Sequence, residues 1–120
     1  MEGPIYNKTI EFSVNLITFF KELGQNKEFI ISRQLLRSET SVGANVHEAA
    51  SAQSRKDFIN KMSIALKEAK ETRYWLSIVS ESKLVNSDIS GLMDENEEII
   101  KILSKIIITA NNNLTTHTTH

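Results

Sequence analysis

The chain of 120 residues is long enough for one domain with its own core, and its composition excludes several classes of protein. It has no cysteine, which excludes disulfides and thiolate metal sites. The formal net charge is −1 and the pI is about 6.3, whereas most nucleic-acid-binding domains are basic. No apolar run approaches the roughly 18 residues of a membrane span, and no signal sequence is recognisable. The composition therefore predicts a soluble cytoplasmic protein.

The first half of the chain predicts two long helices. Its single proline is Pro4, and the whole chain has only four glycines, so few residues interrupt a helix. Apolar residues at helical spacing predict a first helix over residues 6–23, with Gly24 as its C-terminal cap. The same spacing predicts a second helix over residues 27–52.

The second half of the chain predicts two more helices. Ser54, followed by Asp57 three residues later, resembles a capping box and opens a third helix that runs to residue 82. The turn-rich segment 86–91 separates it from a fourth helix that ends near Ala110. The third helix has the clearest core seam, formed by Phe58, Met62, Ala65, Ala69, Thr72, Leu76 and Val79.

These elements predict an all-α fold in one domain over residues 1–110. Short connections between long helices favour an antiparallel up-down-up-down four-helix bundle. The remaining residues 111–120 are polar and lack periodicity, so they are predicted to form a disordered tail.

The first and third helices carry more apolar surface than a lone bundle needs. On the first helix, Ile10, Val14 and Ile17 form one face, and a second apolar face lies about 200° away. A second apolar face must be covered, so we predict a homo-oligomer assembled through helices 1 and 3. Helix rotation or bending that buries both faces inside one subunit is the alternative. The predicted interface residues are Phe12, Leu16, Phe19, Leu23, Ile64, Trp75 and Ile78.

A stripe of polar residues borders the apolar face of the second helix. Ser38, Ser41, Asn45 and Glu48 share one side of this helix, and Arg37 precedes them. The stripe is either a ligand or catalytic cluster or a structural network that bridges to a neighbouring helix. Ser38 and Glu48 are about 15 Å apart along the helix axis, so Glu48 cannot activate Ser38 as a nucleophile within this helix. The structural interpretation is favoured.

No catalytic, cofactor-binding or metal-binding residues are predicted. The segment that starts at His47 and Glu48 begins like a zinc-protease helix, but Ser51 stands where the second histidine would be needed. We therefore expect a protein that is not an enzyme and needs no cofactor.

Basic side chains are concentrated in the second and third helices. Arg33, Arg55, Lys56 and Lys61 are possible nucleic-acid contacts, although many of the charges form helical i, i+4 pairs typical of a solvated face. An oligomeric ring would repeat even a weak basic patch, so RNA or DNA binding stays an alternative.

Four segments of this chain resemble one known family. They are QLLRS at 34–38, SVGANVHE at 41–48, SRKDF at 54–58 and IALKEAKETRYWL at 64–76. The family comprises bacterial four-helix-bundle proteins encoded in intervening sequences of 23S ribosomal RNA genes, and the resemblance covers about residues 5–110. The accessory variability determinant of diversity-generating retroelements is similar to it.

The resemblance implies a homopentameric ring of four-helix bundles without enzyme activity. Such a protein would act as a binding or scaffold module. The family's signature positions correspond to Arg37, Ser38, Ser41, Asn45 and Glu48. The retroelement relatives are basic and associate with RNA and a reverse transcriptase, whereas this chain is slightly acidic.

Overall fold

The computed structural model of the chain describes residues 3–23, 29–82, 85 and 87–118. This part of the chain folds into four helices and contains no strand. The helices are α1 (Pro4–Leu23), α2 (Phe29–Ala49), α3 (Arg55–Ser82) and α4 (Ser90–Thr118). They pack side by side into an elongated body of 58 × 23 × 22 Å. The all-α class and the number of helices are as the sequence predicts.

Local hydrogen bonds explain where α2 ends and α3 begins. The backbone N–H groups of residues 50–52 donate to carbonyls three residues back, which tightens the chain into a turn after Ala49. The predicted end of the second helix at residue 52 is therefore too late. The backbone N–H of Asp57 donates to Ser54 Oγ at 3.0 Å, and Gln53 N–H donates to Asp57 Oδ2 at 3.2 Å. The first bond is the Ser54 half of the predicted capping box, whereas Asp57 caps the backbone N–H of Gln53 rather than that of Ser54.

The ends of α4 differ from the prediction in one respect. Its start falls within the predicted turn segment, where Asp88 Oδ1 accepts a hydrogen bond from the Ser90 backbone N–H at 2.9 Å. The end of α4 differs from the prediction, because the backbone is helical through Thr118 rather than only to Ala110. The disorder expected for residues 111–120 stays a prediction, since the last turns of a helix fray in solution. The predicted cap Gly24 lies outside the described residues.

One apolar core runs the length of the body. The seam predicted for α3 is confirmed from Met62 to Val79, and Phe58 is half-buried at its end. A polar contact crosses the core where Asn96 Nδ2 of α4 donates to the Ala69 carbonyl of α3 at 3.0 Å. Asn96 is 1% exposed, so this bond fixes how α4 lies along α3. The buried apolar residues are Ile5, Phe12, Leu16, Leu35, Val42, Val46, Ala49, Met62, Ala65, Ala69, Leu76, Val79, Ile89, Leu92, Ile99, Ile100, Leu103 and Ala110.

Two residues predicted to lie between subunits belong to the core of the subunit itself. Phe12 and Leu16 are 1% and 0% exposed, and they pack with buried residues of the other helices. The structure thus corrects the prediction, because a side chain with no exposed surface cannot contact another chain. The opposite face of α1, with Ile17 46% exposed, is the one left outside.

The other predicted interface residues are half-buried or lie outside the description. Phe19 and Trp75 are half-buried and pack against the core, and Ile64 and Ile78 are half-buried as well. The side chain of Leu23 lies outside the described residues. An interface role for the half-buried residues stays a prediction.

The neighbours Leu16 and Ile17 provide a matched test of which face of α1 is internal. We expect Leu16→Ala to lower the free energy of unfolding by about 2–5 kcal/mol, because it removes buried methyl groups and leaves a cavity. Ile17→Ala removes a similar side chain from the exposed face and, at protein concentrations where the subunits are separate, should cost less than about 1 kcal/mol. Urea denaturation of the two variants measures both values. Equal losses would contradict the assignment of the two faces.

Candidate functional site

The exposed apolar side chains of α1 form the clearest candidate for a functional surface. Ile10, Val14 and Ile17, which we call the α1 stripe, are 52%, 54% and 46% exposed. Their i, i+4, i+7 spacing places them in one row along the helix. A continuous apolar row in water is unfavourable, and such patches mark interaction sites. The sequence singled out this face but assigned the interface to the opposite one.

A shallow groove between α1 and α2 continues the α1 stripe. Its α1 side consists of Thr9, Ile10, Ser13 and Val14, and its α2 side consists of Thr40, Gly43, Ala44 and His47. We call it the α1–α2 groove. Three of the four residues on its α2 side, Thr40, Gly43 and Ala44, have small side chains. An apolar rim beside small residues is the shape into which another helix packs.

Gly43 of α2 lies opposite Thr9 of α1. A Cβ atom built on it would lie 3.6 Å from Thr9 Cβ, which is ordinary van der Waals contact. The packing of α1 on α2 would therefore accommodate an alanine at this position. His47 secures the same pair of helices, because its Nε2 lies 3.2 Å from the Tyr6 carbonyl and its ring meets the Tyr6 ring edge-on.

The polar stripe predicted on α2 is not gathered into one cluster. Ser38 is fully buried and donates to the Leu35 carbonyl at 3.2 Å, with Thr72 Oγ1 of α3 only 2.8 Å away. At the other end of the stripe, Glu48 is exposed and accepts a hydrogen bond from Lys61 Nζ at 3.0 Å. The stripe therefore runs from the core to the surface and bridges α2 to α3.

The middle of the stripe is held by α2 itself. Asn45 Nδ2 donates to the Ser41 carbonyl at 2.9 Å and to Ser41 Oγ at 3.3 Å. Both residues are half-buried. These contacts match the structural interpretation of the stripe, in which each polar group is satisfied by a neighbour rather than by a ligand.

Arg37 joins α2 to α3 through two carboxylates. Its guanidinium pairs with Glu68 at 3.3 Å and also with Glu71. Glu71 Oε2 accepts a further hydrogen bond from Trp75 Nε1 at 2.9 Å. This hydrogen bond within α3 orients the Trp75 ring and satisfies its indole N–H.

The four cations proposed as nucleic-acid contacts do not form one patch with free charges. Arg33, Arg55 and Lys56 are exposed, whereas Lys61 is half-buried and pairs with Glu48. Arg55 and Lys56 lie together at the start of α3, and Arg33 is on α2.

A buried acid, Glu39, was missed by the sequence analysis. Its side chain is 0% exposed, and its Oε2 lies 2.5 Å from Ser13 Oγ of α1. Its other oxygen, Oε1, is buried without a hydrogen-bond partner among the residues described. Burial raises the pKa of Glu39 to about 7, with the negative charge of Glu95 adding to the rise and the Ser13 hydrogen bond opposing it.

The hydroxyl group of Ser13 is shared between two acceptors, and the protonation state of Glu39 decides which of them it serves. Ser13 has one hydroxyl hydrogen, and two acceptors lie near it, the Thr9 carbonyl at 3.0 Å and Glu39 Oε2 at 2.5 Å. A neutral Glu39 can donate its own proton to Ser13 Oγ and leave the Ser13 hydroxyl free for Thr9. When Glu39 is ionised, it accepts the hydrogen bond of the Ser13 hydroxyl, and the bond from Ser13 to the Thr9 carbonyl is lost.

The sequence does contain a signal for Glu39. Leu35, Val42 and Val46 are buried on α2, and Glu39 is four residues after the first and three before the second. This register places Glu39 within the apolar row. A carboxylate in a core register indicates a buried acid.

Neither a metal centre nor a membrane-spanning helix is found among the described residues. No group of three or more His, Asp or Glu side chains in the described ranges is placed to hold a metal ion. None of the helices in this part of the chain combines the length and the apolar character needed to cross a membrane.

Comparison with known proteins confirms the resemblance inferred from the motifs. Residues 2–105 match the family described as "23S rRNA-intervening sequence protein". Among solved structures, the chain is similar to a protein with unknown function from the S23 ribosomal protein family of Bacteroides thetaiotaomicron VPI-5482, at 45% identity. That similarity covers 86% of this chain and 97% of the other, with a TM-score of 0.80. No curated protein matches the chain.

The raised pKa of Glu39 predicts a specific dependence of stability on pH. Its pKa is about 7 in the folded protein and 4.5 in the unfolded chain, so the folded state binds more protons between these values. The stabilisation is complete below about pH 4.5 and is lost as pH rises through 7. We expect the free energy of unfolding to fall by on the order of 3 kcal/mol over this range of pH. Glu39→Gln, which mimics the neutral acid, should remove this dependence of stability on pH.

The measurement is the free energy of urea unfolding at pH 5 and pH 8. Wild type and Glu39→Gln should be similar at pH 5, and the variant should be the more stable at pH 8. Glu81→Gln, at an exposed acid of α3, is the matched control and should follow wild type. A pH profile of Glu39→Gln parallel to that of wild type would contradict this account.

Proposed function

We propose that this chain, which belongs to the family of 23S rRNA-intervening sequence proteins, works as a homo-oligomeric binding or scaffold module that is not an enzyme. The observation that carries the proposal is the α1 stripe, which remains exposed beside the α1–α2 groove. The polar stripe supports a structural role rather than catalysis, because its members hydrogen-bond to one another and to α3.

The free energy available from the α1 stripe favours self-association. Fully burying a Val or Ile side chain contributes about 1.5–3 kcal/mol, and each of these three is about half exposed. Three such side chains together contribute a few kcal/mol before the cost of association. Repetition of the contact around a closed ring would multiply this contribution, because every subunit makes the contact twice.

We infer an antiparallel up-down-up-down arrangement of the four helices. In support, contacts between α1 and α2 and between α2 and α3 join residues whose numbers rise on one helix as they fall on the other. The pairs are Tyr6 with His47, Ser13 with Glu39, Ser38 with Thr72, and Glu48 with Lys61. Such an arrangement puts α1 and α2 side by side, so that both contribute to the groove.

The proposed number of subunits is five, and the proposed location is the cytoplasm. The number rests on the family resemblance alone. The absence of cysteine from the 120 residues fits a reducing compartment. Neither point is needed for the role of the α1 stripe.

Nucleic-acid binding is the alternative function, as an accessory factor of an RNA–protein complex. The observation that favours it is the exposed pair Arg55 and Lys56 at the start of α3. In a ring, this pair would be repeated at every subunit and could contact phosphates at several points. The overall acidity of the chain opposes this function.

Charge introduced into the α1–α2 groove should prevent assembly. Val14→Glu and Ala44→Glu alter exposed side chains, so each subunit should fold while an apolar contact with another subunit is lost. We expect light scattering on a sizing column to give a mass of several subunits for wild type and of one subunit for either variant.

The matched control is Ser63→Glu, at an exposed position of α3 away from the groove. It should keep the wild-type mass. Circular dichroism of each variant verifies that the helices are intact. A monomeric wild type, or groove variants with the wild-type mass, would refute assembly through this surface.

The nucleic-acid alternative predicts salt-sensitive binding. If it holds, a fluorescent RNA hairpin should bind at about 50 mM salt and lose at least roughly tenfold in affinity at 200 mM, because phosphate contacts release counterions. Arg55→Glu with Lys56→Glu should abolish this binding, whereas Lys21→Glu at an exposed position of α1 should not. Absence of binding at low salt would exclude the alternative.

A further inference from the structure

A second apolar groove lies between the start of α3 and the C-terminal half of α4. Phe58, Ile102 and Ile106 form its floor, and all three are half-buried side chains that pack against the core. Pro4 and Ala110 extend this apolar lining. We call it the α3–α4 groove. It shares no lining residue with the α1–α2 groove, so its role does not depend on the self-association proposed above.

Two cations border the apolar floor. Arg55 of α3 and Lys105 of α4 both line the α3–α4 groove, and both are exposed. Within the described ranges neither forms an ion pair with a carboxylate. By contrast, carboxylates of the same subunit engage Lys8, Arg37, Lys61 and Arg73. The groove therefore offers an apolar surface flanked by two positive charges that no carboxylate of the described residues pairs with.

The dimensions of the groove suit a helix. Its lining on α4 extends from Ile102 to Asn113, which is about 16 Å or three turns of helix. The furrow between two packed helices accepts the side-chain ridge of a third. An amphipathic helix bound in this way places its apolar row on the floor and its flanking polar residues at the rim.

Charge complementarity identifies the kind of helix. We infer that the α3–α4 groove is a docking site for an acidic amphipathic helix of another protein. Its apolar row would cover Phe58, Ile102 and Ile106, and its flanking carboxylates would pair with Arg55 and Lys105. Apolar contact supplies most of the affinity, while the two cations select acidic over basic helices and raise the rate of encounter.

The test uses synthetic helices as probes for the full-length protein. One fluorescein-labelled peptide of about 15 residues carries leucines at i, i+3, i+4 and i+7 and glutamates on both flanks. A second peptide has lysines in place of the glutamates. Fluorescence anisotropy should show that the acidic peptide binds roughly tenfold or more tightly than the basic one.

Variants at the rim and floor locate the binding. Arg55→Glu with Lys105→Glu should reverse the preference, so that the basic peptide becomes the tighter ligand. Ile106→Ser should weaken the binding of the acidic peptide while the charge preference remains. Lys70→Glu, an exposed charge reversal elsewhere on α3, should change nothing.

Four outcomes would overturn the inference. The first is no binding of the acidic peptide, and the second is equal binding of both peptides. The third is a change in the native mass of the protein on reversing Arg55 and Lys105, which would assign the groove to a second copy of this chain. The fourth is an RNA hairpin whose binding is lost in that double variant but unaffected by Ile106→Ser, which would assign the cations to phosphate contacts.

Discussion

The close packing of α2 against α3 is the constraint on which the other contacts depend. Small side chains make it possible, since Ala65, Ala69 and Thr72 of α3 are fully buried and Ser38 of α2 meets Thr72 at 2.8 Å. A larger residue at any of these positions would separate the helices and break that contact. On either side of this seam, Arg37 and Glu48 form ion pairs with α3, so the buried contact determines where the surface charges can meet.

The parts of the fold that could be predicted from the sequence are those determined by local spacing. The seam of α3 was recognisable because small and apolar residues recur at one helical period over many turns. The capping box at Ser54 was recognisable because it needs only two residues at fixed separation. Helix ends without such a cap were predicted less well, as at Ala49, where the chain leaves α2 through a tightened turn.

The candidate sites could be predicted only in part, because they depend on which face of a helix meets the core. Two apolar faces on α1 were evident, but spacing alone cannot say which one turns inward. In the structure Phe12 and Leu16 fill the core and Val14 stays outside. Glu39 was missed for a related reason, since a carboxylate is ordinarily solvated although the register of Glu39 lies between the buried residues Leu35 and Val42.

The exposed stripe and the buried acid give α1 a different mechanical character from the rest of the molecule. One of its faces packs on the core, while the side chains of the other remain about half exposed. The Ser13–Glu39 contact that attaches α1 to α2 changes with protonation. Helices with few buried neighbours open locally at lower free energy than the global unfolding of the protein. α1 is therefore the helix expected to exchange its amide hydrogens first. Ionisation of Glu39 should hasten that exchange, so local opening of one helix would be coupled to pH without unfolding the α2–α3 pair.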